Sequence, residues 1–452
     1  MTHSLTMDLA RYAASTSIHK IPAEIRELGK LVLFDEMASA HFARRSAAGD
    51  VIARYVASLG GPHEALVLGT ALRVPAPYAA LANGTAGHGE EVDGAHVVGG
   101  HPGATLVHAL VAIAQRQRSS GAELLNALIL SYDVAIRLVR ACGEKFAMKR
   151  QYHLYSDFLF SLGAAVGACR LLGLEPVRHC YAMALATFQA NALAGLYAER
   201  RHMSKSFCNG QFASAGVSAA LQASAGMEAV EDVLGMKDGL LEAWGAANGA
   251  AAITDGLGEK WDIGGSNFKF INAGYPIHSA VEAAMTLYRR HGIDPLTVES
   301  VDIGMPEKAM RVVDNREMHN ICVQDMVCAS LVNGGLSLRE LPFPAILDHP
   351  AFGRLRAHAT VRVDPDLDRD QPDGRGSNVT IFLSNGIKDS CRVDAPRGHA
   401  LRDPIGWSDL AEKWTDGLPG QDVGRMIALA RRLEELDDVN ELVLTFVPTT
   451  AS

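Results

Sequence analysis

Histidines and carboxylates are concentrated in one glycine-rich stretch of the chain. It runs from Asn83 to Thr105, and its ionisable residues are His88, Glu90, Glu91, Asp93, His96 and His101. Histidine exchanges protons near neutral pH and a neighbouring carboxylate can orient its ring, so this composition indicates general acid–base chemistry. The glycines let the backbone adopt dihedral angles that other residues avoid. We therefore expect the stretch to form part of a proton-transfer site.

The same residues also offer ligands for a metal ion. A zinc protease would show His-Glu-x-x-His, whereas this chain has His-Gly-Glu-Glu-Val-Asp-Gly-Ala-His. We therefore favour acid–base chemistry and predict no metal. Asp93 and His101 are the predicted functional residues, whereas we assign His88 and Glu90 to helix capping and to the turn.

Two lysine-containing segments are further candidates. Residues 200–213 form a basic cluster leading into a helix, and cations beside a helix N-terminus favour an anion. Within it, Lys205 stands between apolar neighbours. The segment from Phe268 to His278 carries Lys269 near the expected domain junction, where ligand sites are common. The alternatives are a solvated basic turn for the first segment, and a capping histidine with a lysine that reaches solvent for the second.

Composition and length limit the class of protein. With 452 residues the chain is long enough for two domains, and 48% hydrophobic with 21% charged residues is typical of a globular protein. The net charge of −9 argues against a nucleic-acid partner. Seven scattered cysteines indicate neither a disulfide framework nor a zinc site. We find no signal-peptide layout and no membrane-length apolar run, so we expect a cytoplasmic protein without a membrane partner.

The hydrophobic periodicity predicts a mainly α protein with a large all-helical domain and a smaller inserted α+β domain. Helical spacing recurs from Pro22 onward, and the later predicted helices cover residues 161–172, 176–196, 213–225 and 278–290. Ser120 and Glu123 predict a capping box. After residue 292 the period changes to two, and Asn385-Gly386 predicts a hairpin with a type I′ turn.

We place the helical domain at residues 1–267, with residues 405–452 returning to it, and the α+β domain at residues 268–404. The run from Asp364 to Ser377 is expected to be a solvated loop. The boundary rests on the loss of helical periodicity between Met236 and Gly265, where glycines are frequent.

The order of the motifs resembles the MmgE/PrpD family over most of the chain. The residues that carry the resemblance are Asn83-Gly84-Thr85-Ala86-x-His88, Glu91-Val92-Asp93-x-x-His96, His101-Pro102-Gly103-Ala104, Met203-Ser204-Lys205, Leu257-Gly258-x-x-Trp261, and Phe268-Lys269 followed by His278. The resemblance implies a homodimer and a metal-free cleft between domains, without a cofactor, which binds a small polycarboxylate.

Carried over by position, the resemblance implies that Asp93, His101, Lys205, Lys269 and His278 lie in that cleft. We expect the two lysines and His96 to bind the substrate. We expect His101 to act as base or acid, Asp93 to orient a histidine, and His278 or Tyr152 to handle the opposite proton.

The chain departs from the family pattern at several positions. Gly94 stands where a second aspartate is expected, and Cys208 or Asn209 where a histidine commonly follows the lysine. A further histidine would fall on Leu154, and this chain has His153 one residue before it. Either a local insertion makes His153 the replacement, or Tyr152 and Tyr155 supply different chemistry.

The resemblance implies a reaction that forms or protonates a carbanion on the carbon next to a carboxylate. We expect a lyase, with dehydration as the preferred reaction. Decarboxylation and epimerisation are alternatives because they need the same groups, and a non-catalytic carboxylate-binding protein is the alternative from another class.

Overall fold

The computed structural model describes residues 4–143, 145–338, 344–369 and 375–448, and 61% of the chain is helical with 8% in strands, which confirms the mainly α class. The helices are α1 Leu5–Ser15, α2 Ala23–Ala43, α3 Ala47–Leu59, α4 Ala76–Gly87, α5 Pro102–Gln117, α6 Gly121–Ala141, α7 Lys145–Tyr152, α8 Phe160–Leu171, α9 Pro176–Gln189, α10 Ser204–Ser224, α11 Leu240–Ala243, α12 Ala250–Thr254, α13 His278–His291, α14 Glu307–Val313, α15 Val323–Asn333, α16 Pro344–Leu347, α17 Pro350–Ala357, α18 Pro365–Asp368, α19 Trp407–Gly417, α20 Val423–Arg431 and α21 Asn440–Val443. The strands are β1 Ala65–Leu66, β2 Arg73–Val74, β3 Ala95–His96, β4 Ser266–Asn267, β5 Val298–Met305, β6 Ala359–Val363, β7 Ser377–Leu383 and β8 Lys388–Val393.

The chain forms two compact units. The first contains residues 1–266 and 406–452, and the second contains residues 267–405. The first unit thus includes helices from both ends of the chain. None of the helices in the described residues has the combination of length and apolar composition needed to cross a bilayer.

Close helix packing organises the first unit. Helix α10 packs against α4, α5, α8 and α9. At the crossing of α10 with α4, a Cβ on Gly210 would lie 2.2 Å from the Leu81 carbonyl oxygen and 2.7 Å from the Thr85 backbone nitrogen. Small residues allow this approach, as the alanine-rich sequence predicts. The crossing fixes α10, which carries Lys205, against the helix that ends beside the glycine-rich stretch.

Several helix boundaries differ from those predicted. Helix α9 ends at Gln189 rather than near residue 196, and a 3-10 turn covers Ala194–Ala198. Helix α10 begins at Ser204 rather than at Ala213, so Lys205 lies within its first turn. The capping box is confirmed, with the Ser120 side chain accepting from the Glu123 backbone and the Glu123 side chain accepting from Ser120.

The C-terminal helices return to the first unit through a buried ion pair. Lys413 Nζ on α19 lies 2.7 Å from Asp35 Oδ1 on α2, and Trp414 Nε1 donates to the same oxygen at 2.7 Å. Lys413 also donates to the Val92 carbonyl at 3.0 Å. The returning segment therefore holds the backbone directly before Asp93.

A four-stranded sheet organises the second unit, in the order β6-β5-β7-β8. Strand β5 runs parallel to β6 and antiparallel to β7, and β7 pairs antiparallel with β8. Helix α13 packs on β7 and β8 as well as on α15. The apolar positions that alternate along the strands, such as Val301, Ile303, Val379 and Ile381, are buried in the shared core.

Two local predictions in this unit need correction. The β7–β8 hairpin is present, but only Gly386 of its Asn-Gly pair has a positive φ, of 84°, whereas a type I′ turn needs positive φ at both residues. Asp364 is buried and caps the short helix α18, so the expected solvated loop begins with ordered structure. Residues 370–374 of that expected loop lie outside the described residues.

The α4–α10 crossing generates a stability prediction. Gly210→Ala should destabilise the protein by about 1–3 kcal/mol, because the added methyl meets backbone atoms that cannot rotate away. Thermal or urea unfolding measures the change. Gly195→Ala is the matched control, since nothing lies within 4 Å of a Cβ there. Equal stability of the two variants would contradict the packing described.

Candidate functional site

The Asp93 carboxylate stands at the centre of a buried cluster. Its Oδ2 lies 2.8 Å from His88 Nδ1 and 3.0 Å from His101 Nδ1. All three side chains are buried. His101 Nδ1 also lies 3.0 Å from the Gly94 carbonyl oxygen. A carbonyl oxygen only accepts hydrogen bonds, so the proton of neutral His101 is on Nδ1, and Nε2 is its basic nitrogen.

A second carboxylate joins this group to the basic segment. Glu91 Oε1 lies 2.7 Å from Lys205 Nζ, 3.4 Å from His202 Nε2 and 3.5 Å from His88 Nε2. The rings of His88 and His202 are 4.8 Å apart between centroids. We call these six residues, His88, Glu91, Asp93, His101, His202 and Lys205, the Asp93 cluster.

Burial dominates the electrostatics of the histidines. It lowers the pKa of His88 to about 4, although Asp93 opposes the shift, and it lowers the pKa of His202 to about 3, although Glu91 opposes that shift. Desolvation disfavours the charged imidazolium. Both rings are therefore neutral at physiological pH, and each can donate a hydrogen bond from one nitrogen and accept one at the other.

Local backbone structure orients the side chains of His101 and Glu91. His101 is the N-cap of α5, followed by Pro102 at the first helical position, which proline favours. Its N–H donates to Asp157 Oδ2, which also accepts from the Tyr155 hydroxyl. Glu91 has a φ of 55°, which is rare outside glycine and is found at functional sites.

The N-terminus of α10 does not form the predicted anion site. The carboxylate of Glu199 accepts from the backbone N–H groups of Ser204 at 2.7 Å and Lys205 at 3.3 Å. An internal carboxylate thus occupies the place expected for a ligand. The Lys205 side chain nevertheless contacts Glu91 of the Asp93 cluster. Its place in the candidate site therefore depends on this ion pair and not on the helix N-terminus.

His96 does not have the geometry expected of a substrate-binding residue. Its Nδ1 accepts from the Val98 N–H at 3.2 Å, and its Nε2 lies 2.7 Å from the Asp262 carbonyl oxygen. Burial lowers its pKa to about 4. Because backbone groups engage both nitrogens, His96 fixes the glycine-rich loop instead.

The contacts described for Tyr152 and His153 lie outside the Asp93 cluster. His153 is exposed with a φ of 57°, and the Tyr152 ring packs edge-on against Trp244. None of the contacts described for these two side chains reaches the Asp93 cluster. The nearby Tyr155 is the buried tyrosine, and through Asp157 it is linked to the His101 backbone.

Lys269 and His278 belong to the second unit. Lys269 is fully buried. His278 begins α13, with Nε2 3.2 Å from the Ala273 carbonyl oxygen and its ring 5.5 Å from that of Tyr275. Their roles in binding or proton transfer stay predictions.

Three members of the cluster were missed or only partly assigned from the sequence. His88 caps α4, as predicted, and it also contacts Asp93, which the sequence analysis did not predict. Glu91 and His202 were not selected. The position of His202 in the basic segment, three residues before Lys205, was the available indication. The left-handed backbone at Glu91 cannot be recognised from the sequence. Glu90, assigned to the turn, is half-buried, and burial raises its pKa to about 7.

Part of the cluster has the side chains of a metal site. Ligand atoms of His88, Glu91, Asp93 and His101 lie within 4.8 Å of one another. However, Lys205 Nζ at 2.7 Å already neutralises Glu91, and the imidazole N–H groups point at Asp93. A cation would have to displace both interactions, so the arrangement fits proton transfer better than metal binding.

The cluster combines histidines, carboxylates and a lysine on a helical scaffold, a set of groups that suits general acid–base chemistry. The chain belongs to the MmgE/PrpD family, since residues 7–251 match its N-terminal domain and residues 272–435 match its C-terminal domain. This confirms the family assigned from the motifs.

Curated relatives of the chain are cis-aconitate decarboxylases. The human protein is 25% identical over 397 residues, covering 82% of this chain and 79% of its own length. The mouse protein is 24% identical over 396 residues, covering 82% and 78%. The Aspergillus terreus protein is 25% identical over 303 residues, covering 64% and 61%. The family and these relatives support a lyase-type role.

The depressed pKa of His88 generates a pH prediction. The unfolded chain binds a proton at His88 near pH 6.5, but the folded protein does so only near pH 4. This group therefore contributes stability that is complete above pH 6.5 and is lost as the pH falls toward 4, by on the order of 1.4 kcal/mol per unit of pKa difference.

His88→Gln should therefore show a shallower fall of melting temperature between pH 6.5 and 4 than the wild type. His63→Gln, at an exposed histidine, is the control and should keep the wild-type slope. A His88→Gln slope equal to that of the wild type would show that His88 is not held neutral by burial.

Proposed function

We propose that the protein is a cofactor-independent lyase that forms and protonates a carbanion next to a carboxylate of a small di- or tricarboxylate. The observation that carries the proposal is Asp93 bridging His88 and His101 beside the Glu91–Lys205 ion pair. Such a reaction needs a positioned base or acid and a cation that stabilises developing negative charge. The Asp93 cluster contains both.

His101 is the proposed proton-transfer residue. Its Nδ1–H is directed at Asp93 and Gly94, which leaves Nε2 as the nitrogen that exchanges a proton with substrate. When Nε2 takes a proton, the adjacent Asp93 carboxylate stabilises the imidazolium without becoming protonated itself. A positioned acid or base of this kind contributes roughly 10²- to 10⁴-fold in rate.

Lys205 is the proposed carboxylate-binding cation of the first unit. An ammonium group has three donors, and Glu91 accepts one of them. The Lys205 side chain is 14% exposed, whereas that of Glu91 is 1% exposed, so the lysine is the member of the pair that an incoming anion reaches. Binding a substrate carboxylate there would place the enolate charge beside a cation.

Decarboxylation is the reaction favoured by the comparisons, because the curated relatives are cis-aconitate decarboxylases. Loss of CO₂ leaves the electron pair of the broken carbon–carbon bond on the substrate, delocalised toward a remaining carboxylate. One proton from the enzyme then quenches it. Dehydration is the second candidate, because His88 and His101 on a single carboxylate form two imidazoles that could serve as base and acid.

A substrate screen in deuterated water tests the proposal. We expect the protein to consume cis-aconitate with release of CO₂ and with deuterium at the carbon that receives the proton, followed by NMR. A new olefinic signal from citrate or methylcitrate without CO₂ would instead select dehydration. Thermal-shift binding of these acids without any deuterium exchange would overturn the lyase and indicate a carboxylate-binding protein.

His101→Gln should lower kcat by roughly 10²- to 10⁴-fold on the substrate found in that screen, because the general acid is lost. His63→Gln is the matched control at an exposed histidine and should keep wild-type turnover. Near-wild-type activity of a folded His101→Gln protein would remove His101 from the proposed mechanism.

The proposal includes a homodimer and a cytoplasmic location, both expected from the sequence. Light scattering after size-exclusion chromatography measures the first directly. A mass of one chain at micromolar concentration would contradict the dimer.

A further inference from the structure

A third buried carboxyl group lies beside the Asp93 cluster and is not part of the mechanism above. Glu36 on α2 is 2% exposed, and its Oε1 accepts a hydrogen bond from the Gly94 N–H at 2.9 Å. Gly94 follows Asp93 directly, and its carbonyl oxygen is the one that lies 3.0 Å from His101 Nδ1. Glu36 therefore holds the residue that orients His101.

The surrounding backbone is shaped to admit this carboxyl group. A Cβ on Gly103, in the first turn of α5, would lie 2.1 Å from Glu36 Oε1 and 2.4 Å from Glu36 Cδ. No side chain larger than glycine fits at 103 while Glu36 keeps its position. The backbone at Gly103 limits the space on one side of the Glu36 carboxyl group, and the Gly94 N–H binds the carboxyl group on the other side. These two contacts define its position.

Burial and the neighbouring charges both act on the Glu36 carboxyl group. It faces Asp93, Asp35 on its own helix, Lys413 on α19 and Tyr132 on α6. Lys413 Nζ forms an ion pair with Asp35 Oδ1 at 2.7 Å. Burial, followed by the charges of Asp93 and Asp35, raises the pKa of Glu36 well above its usual value. The carboxyl group thus adds a hydrogen-bond acceptor for the Gly94 N–H beside the cluster.

The sequence makes the same position notable. Gly94 stands where the family resemblance predicts a second aspartate, and a glycine contributes no side chain. Glu36 brings a carboxyl group from another helix to the backbone of that residue. Glu36 lies far before the motif in the sequence, so a comparison of motifs does not identify its contact with Gly94.

We infer that Glu36 is a positioning residue: it holds the Gly94 N–H, so that the Gly94 carbonyl stays against His101 Nδ1 and keeps the proton of His101 on that nitrogen. His101 Nε2 is then the nitrogen that exchanges a proton with the substrate. The inference rests on the proposed function, because the tautomer of His101 matters for turnover only if His101 transfers a proton.

The first arm of the test is kinetic. Glu36→Gln keeps an acceptor oxygen and should keep kcat within about threefold of the wild type. Glu36→Leu removes the acceptor, and kcat should fall by about 10²-fold with little change in KM, as a small misplacement of a catalytic group can cause. Glu24→Gln, the same change at an exposed position of α2, is the control. Equal kcat in the Gln and Leu variants would overturn the inference.

The second arm does not depend on activity. In protein labelled with ¹⁵N-histidine, the His101 signals are identified by their loss in His101→Gln. We expect the Nδ1–H tautomer in the wild type and in Glu36→Gln, and a mixture of tautomers in Glu36→Leu. If no substrate is turned over, the proposed function fails while this arm still decides the role of Glu36. An unchanged tautomer in Glu36→Leu would overturn that role.

A third variant guards against misfolding of Glu36→Leu. Gly103→Ala keeps every charge but occupies the space of the Glu36 carboxyl group, so it should reproduce the loss of kcat and the mixed tautomer. Wild-type kcat and tautomer in Gly103→Ala would contradict the inference.

Discussion

The hydrogen bonds of one buried carboxylate, that of Asp93, set the requirements for the rest of the site. Its Oδ2 lies within 3.0 Å of two imidazole nitrogens, and the residue has no exposed surface. A buried carboxylate is stable only when donors surround it. Two neutral rings meet this need by directing their N–H groups inward. The remaining nitrogen of each ring, Nε2, then carries the lone pair. For His101, the Gly94 carbonyl oxygen at 3.0 Å from Nδ1 supports the same tautomer.

The scaffold brings these buried groups together from distant parts of the chain. Asp93 and His101 lie in the loop between α4 and α5, Lys205 comes from α10, and Lys413 on the C-terminal segment holds the Val92 carbonyl. The close approach at Gly210 brings α10 against α4. Close helix packing thus positions Lys205 relative to Asp93 and His101, which a flexible loop alone would not do.

Much of the fold could be predicted from periodicity, since helices such as α2, α5 and α6 and the β7–β8 hairpin show it clearly. Helix ends were less predictable. Glu199 starts α10 at Ser204 by accepting its N–H groups, and a contact made by a side chain outside the helix has no periodic pattern. The Asn385-Gly386 turn was located correctly, but its type depends on a backbone angle that composition does not determine.

The site could be predicted where its residues are close in sequence and not where they are distant. Asp93 and His101 stand in one stretch of sequence, so their presence in one site was expected. His88 shows the limit, because a histidine that ends a helix can also hydrogen-bond a carboxylate, and its residue type does not distinguish the two. Glu36 reaches the cluster from 58 positions before Gly94, through a contact that only the tertiary structure creates.

In the proposed function, the Asp93 cluster binds a carboxylate substrate and protonates the carbanion formed on it. A crystal structure with tricarballylate, a saturated tricarboxylate that can undergo neither decarboxylation through an enolate nor loss of water, is the decisive measurement. We expect a carboxylate oxygen within hydrogen-bond distance of Lys205 Nζ and a ligand carbon beside His101 Nε2. A ligand bound elsewhere, with His101 and Lys205 keeping only their contacts to protein, would contradict it.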